Sequence, residues 1–92
     1  MNKKEIEAII EAILFSAGRI VTQEELVLAL ELDKNQIEDI IKDMQNEYKE
    51  RGIEISKVEN GYQLCSKKEY YEYIYPILDK RTKPNLSQAA LE

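Results

Sequence analysis

Apolar residues recur every three or four positions through several stretches of this chain, and every second position through two others. Ile6, Ile9, Ile10, Ile13, Leu14 and Ala17 form the first stripe and predict a helix from about Asn2 to Ala17, with Asn2 as cap and Gly18 as stop. Arg19-Ile20-Val21 follows as a short extended piece. Thr22 and Glu25 make a capping box that opens a second helix, with Leu26, Ala29 and Leu30 facing inward. Asp33 and Gln36 open a third helix in the same way. Ile37, Ile40, Ile41, Met44 and Tyr48 are its buried stripe, and Arg51-Gly52 is its predicted end. Ile53, Ile55 and Val58 then pair with Tyr62, Leu64 and Ser66 across a turn placed at Asn60-Gly61. Ser66 and Glu69 read as a capping box for a fourth helix, about Lys67 to Asp79. Its inward face would be Tyr70, Tyr73, Ile74, Ile77 and Leu78, and Pro76 should kink or interrupt it.

This order of elements over residues 1–79 is that of an α+β, mostly helical winged helix: a three-helix core, a small β-hairpin wing and an additional C-terminal helix. Residues 80–92 carry charge, a proline and no periodicity until Ser87, which caps what reads as a first helical turn. One turn cannot offset its own nucleation cost. The reading is therefore a linker and the truncated start of a second domain.

The core stripe of the first helix covers roughly 140° of its wheel at about 100° per residue. Ala8, Ala12 and Phe15 lie on the opposite side as a second, narrow apolar stripe. Leu28 sits nearly opposite Leu26 and Leu30, and Tyr71 and Tyr75 remain on the flank of the fourth helix. These six residues are candidates for a protein–protein surface, where aromatic residues are common. They could equally be covered within one chain by the fourth helix folding over Phe15, or be singly exposed.

Charge and candidate chemistry narrow the alternatives. The chain carries 18 acidic residues against 13 basic ones, and net negative charge repels a phosphate backbone. The third helix holds six acids (Asp33, Glu38, Asp39, Asp43, Glu47, Glu50) against Lys34, Lys42, Lys49 and Arg51. Those cations read as solvated helix charge paired three or four residues away, and Glu38, Asp39, Asp43 and Glu47 as outward. The wing tip has no lysine or arginine. A DNA-binding winged-helix regulator, reading bases through Lys34, Asn35 and Gln36, stands as the alternative. Histidine is absent, and the single cysteine, Cys65, reads as a small strand residue rather than a reactive thiol. With no nucleophile–base pair, glycine-rich loop or metal-ligand spacing, an enzyme is not expected, nor a metal or cofactor. The apolar run from Ile9 to Ala17 is too short to span a bilayer, and acids break any leader core at the N-terminus, so a cytoplasmic protein is expected.

Leu14-Phe15, Gly18, Gly61-Tyr62-Gln63-Leu64 and the closing Leu86 to Glu92, taken in this order, resemble bacterial segregation and condensation protein B. The likeness covers essentially the whole chain, with Leu28 as a departure where a polar residue is expected. The resemblance implies two winged-helix domains, of which this is the first. It implies a non-enzymatic role in chromosome condensation and partition, at the nucleoid. The partners it implies are a second copy of the protein, the kleisin-like segregation and condensation protein A and, through that kleisin, the condensin ATPase. It assigns self-association to the first domain and much of the kleisin contact to the second.

Overall fold

In a computed structural model that describes residues 1–78, the helices begin where their caps dictate. Asn2 accepts the Glu5 amide at 2.8 Å and starts α1 (Lys3–Ala17), which Gly18 ends in the left-handed region at φ 61°. Strand β1 (Val21–Thr22) leads into α2 (Gln23–Leu30) through the complete Thr22–Glu25 capping box, and the Asp33–Gln36 box opens α3 (Lys34–Glu47). Strands β2 (Ile53–Val58) and β3 (Gly61–Ser66) form the wing, and α4 (Tyr71–Leu78) follows a single 3-10 turn over Lys68–Tyr70.

The sheet is antiparallel in the order β1-β3-β2, with Val21 opposite Tyr62 and Ile55 opposite Leu64. One core lies between the three helices and the sheet. Ile10, Leu14, Leu26, Ile37 and Ile41 are its largest fully buried side chains, joined by Val21, Met44, Ile55 and Tyr62. Burial of each such side chain contributes roughly 1.5–3 kcal/mol. This is the winged helix expected from the sequence.

Five local expectations fail, each for a physical reason. First, α3 stops at Glu47 rather than at Gly52. The chain turns at Tyr48, and the Lys67 ammonium donates to the Tyr48 and Lys49 carbonyls at 2.8 and 2.6 Å, serving the helix end that a glycine was expected to cap. Second, the hairpin turns at Glu59-Asn60, with positive φ at Glu59, and Gly61 is already paired in β3. Gly61 is needed there because a Cβ would meet the Val21 carbonyl oxygen at 2.6 Å. Third, Ala29 is exposed. The buried face of α2 centres on Gln23, Leu26 and Leu30, so Ala29 falls on the flank. Fourth, the residues around Ser66 form no capping box: Lys67 is the N-cap, without a side-chain bond. The helix then runs through Pro76 without interruption. Fifth, the expected inward face of α4 is not inward. Tyr70, Tyr73, Ile77 and Leu78 are exposed, and no α4 residue is buried. Only Tyr71 and Ile74 are half-covered, and neither belongs to the core, because among the described residues no second apolar layer lies against α4. The predicted linker and second-domain start at 80–92 lie outside the described residues.

Candidate protein-interaction surface

The outer stripe of α1 faces solvent along its length. Ala8 and Ala12 are exposed and Phe15 is 75% exposed, while the other side of the helix fills the core. Leu28 is 82% exposed on α2 and lines an apolar cleft of about 190 Å³ with Gln23, Glu24, Val27 and Lys34. On α4, the Tyr71 and Tyr75 rings pack in a tilted arrangement, with centroids 5.8 Å apart and planes at 52°; Tyr75 is exposed and Tyr71 half-covered. The structure thus brings Tyr71 and Tyr75 together, and Ala8, Ala12 and Phe15 by helical spacing. Ala8 lines a cleft between α1 and α3, separate from that of Leu28.

At the positions a DNA reader would use, Lys34, Asn35 and Gln36 are exposed, but the Gln36 carboxamide oxygen accepts the Asp33 amide at 3.1 Å. The wing tip is held back against α2. The Asn60 carboxamide donates to Glu24 at 2.6 Å, and the Asn60 carbonyl accepts the Gln23 amide at 2.9 Å. Of the four acids expected to point outward, Glu38 is half-buried and accepts from the Gln23 side chain at 3.1 Å. The expected ion pairs within α3 are not made. The two pairs among the described residues are Lys3–Asp43, between α1 and α3, and Arg19–Glu25. Arg19 forks onto both Glu25 oxygens, and with the Thr22 amide it holds the Glu25 carboxyl at about 2, well below the usual carboxylate range.

Two buried polar residues escaped the periodicity. Gln23 donates to the Tyr62 hydroxyl at 3.2 Å as well as to Glu38, and ties α2 to β3 and α3. Glu7 is 7% exposed and its Oε2 has no hydrogen-bond partner among the described residues. A signal existed for both: Glu7 is seven residues from Leu14, and Gln23 is four and seven residues from Val27 and Leu30, the spacing of one helix face. No group of three or more potential metal-ligating side chains occurs among the described residues, and no helix there is long and apolar enough to cross a membrane.

Residues 8–92 match the family model of the segregation and condensation complex subunit ScpB. The chain belongs to the ScpB family. It is similar to segregation and condensation protein B of Acetivibrio thermocellus, with 42% identity over the whole chain and 48% of that protein. The counterpart in Clostridioides difficile is 41% identical over the whole chain and 54% of its own length. The chain therefore spans about half the length of the curated relatives it matches. Among solved structures, a dimer of an ScpB N-terminal domain complexed with an ScpA peptide aligns with TM-score 0.76 and 28% identity, over 82% of this chain and 96% of that one. ScpB from Mycobacterium tuberculosis shares the fold, with TM-score 0.80 at 22% identity over 99% of this chain and 58% of that one.

Proposed function

We propose that this domain is a non-enzymatic interaction module that homodimerises within a bacterial chromosome segregation and condensation complex, in the cytoplasm at the nucleoid. Its partners are a second copy, the kleisin-like ScpA and, through ScpA, the condensin ATPase. The observation that carries this reading is the likeness, at 28% identity and over nearly all of the other chain, to the dimer of an ScpB N-terminal domain complexed with an ScpA peptide. The apolar surface supports it: Phe15 and Leu28 are largely exposed and α4 buries none of its residues. Because that complex pairs an N-terminal domain with ScpA, this domain takes a share of the kleisin contact. Ala8, Ala12, Phe15, Leu28, Tyr71 and Tyr75 are the contact candidates. Phe15 is the anchor, a large aromatic among small neighbours.

Light scattering behind a sizing column, over a range of concentrations, tests the reading. The expected result is a dimer that Phe15→Asp converts to a monomer with its helical spectrum intact. A dimer indifferent to that change moves the interface elsewhere, and a monomer at high concentration overturns self-association of this domain.

A further inference from the structure

The cleft between α1 and the end of α3, about 260 Å³, is lined by Glu7, Glu11 and Glu47, by Lys4 and Arg51, and by Ala8, Met44 and Tyr48. Glu11 already has a donor, the Tyr48 hydroxyl. Glu7 is different: more than nine-tenths of the residue is buried, it lines the cleft, and its Oε2 is cut off from solvent with no hydrogen bond. A buried carboxylate oxygen without a donor carries a desolvation cost, and no hydrogen bond among the described residues offsets it. We propose that this cleft receives a lysine or arginine side chain from a partner protein, with the Glu7 carboxylate as its counter-ion.

Three observations favour a cationic occupant carried by a protein. The three carboxylates of the lining outnumber its two cations. The chain as a whole is at −5, so a basic segment is drawn toward it. Ala8, part of the exposed α1 stripe, shares the cleft, so a segment lying on that stripe borders the cleft that Glu7 lines. The identity of the occupant as a protein segment rests on the interaction reading above, whereas the test below reads Glu7 itself and does not require a dimer.

The probe is the peptide acetyl-Gly-Arg-Gly-amide, with acetyl-Gly-Gln-Gly-amide as the neutral control, titrated into the labelled chain and followed by amide proton–nitrogen correlation spectra. The arginine peptide should shift the amides from Lys4 to Glu11 and that of Tyr48 in a saturable way, and the control should not. Glu7→Gln, nearly isosteric, should weaken binding by about tenfold, as expected for loss of a charge-assisted pair. Lys4→Gln removes a competing cation from the exposed rim and leaves Glu7 in place, so it keeps the test sharp if Glu7→Gln misfolds. It should tighten binding by about twofold to fivefold. Shifts scattered over surface acids, binding that survives Glu7→Gln, no discrimination between the peptides, or weaker binding in Lys4→Gln would each overturn the proposal. The last result would mean that Lys4 builds the site rather than competing for it.

Discussion

The Lys67 ammonium donates to the Tyr48 carbonyl at 2.8 Å, so the end of α3 is closed by a residue that the chain reaches only after the wing. The Lys67 main chain adds to this, its amide donating to Gly52 at 2.9 Å. One residue thereby fixes both where α3 stops and where the C-terminal arm departs. Lys67→Met removes the two ammonium bonds and keeps the aliphatic stem. It should cost about 1.5 kcal/mol, the lower end for charge-assisted bonds because the site is partly solvated. Urea unfolding would measure the loss, and amide exchange over residues 48–52 should quicken more than exchange in α1.

Gly61→Ala should be more damaging than its size suggests. The new Cβ would meet the Val21 carbonyl oxygen at 2.6 Å and the Ile20 Cγ2 at 2.7 Å, and a backbone carbonyl cannot swing aside. Relief requires parting β1 from β3. A cost of about 1–3 kcal/mol follows, as for overpacked sites. The thermal midpoint should fall, and the cross-strand contacts of Val21 with Tyr62 should weaken first in nuclear Overhauser spectra. An unchanged midpoint would show that β1 is free to move.

Local and distant determinants of the fold differ in how they show in the sequence. Asn2, Thr22 with Glu25, and Asp33 with Gln36 act within three residues, and all three helix starts were legible. Features set from far along the chain were not. The α3 end depends on Lys67, the wing turn on the approach of β1 to Gly61, and the rotation of α2 on a glutamine that finds Tyr62. The six surface candidates were legible as apolar positions off the core stripes, and five of them are exposed, with Tyr71 half-covered. Glu7 fits the helical spacing of the core stripe, but a charged residue beside an apolar stripe looks like the edge of the solvent face. The α4 face was misread because an amphipathic pattern does not say whether its partner belongs to the same chain.

The Arg19–Glu25 pair sets an acid-side prediction. Glu25 has its carboxyl lowered from 4.5 to about 2, first by the Arg19 hydrogen bonds and then by the Thr22 amide. A lowered folded-state value means that the unfolded chain binds the proton more readily. The pair's stabilisation is therefore present above about pH 4.5 and is lost as pH falls toward 2. Glu25→Gln should flatten the stability profile between those limits and cost the pair's contribution at neutral pH, while the glutamine can keep the capping box as Gln36 does in α3. Thermal midpoints of both proteins across that range would check it. A wild-type slope that persists in the variant would assign the acid sensitivity to other carboxylates.

The polar contact among Gln23, Tyr62 and Glu38 should behave as one unit. Gln23 is buried, and its amide group faces the Tyr62 hydroxyl at 3.2 Å and the Glu38 carboxylate at 3.1 Å. Tyr62→Phe keeps the ring in the core and leaves the amide one acceptor, so it should cost about 1 kcal/mol. Gln23→Leu strands the Tyr62 hydroxyl in the core, although the half-buried Glu38 can regain water, so it should cost about 2 kcal/mol. In the double variant the stranded hydroxyl is gone. Its cost should therefore fall short of the sum by at least about 0.5 kcal/mol, as for residues in one network. Strict additivity in urea unfolding would mean that the hydroxyl and the amide do not depend on each other. The orientation of α2, and with it the outward presentation of Leu28, would then rest on Leu26 and Leu30 alone.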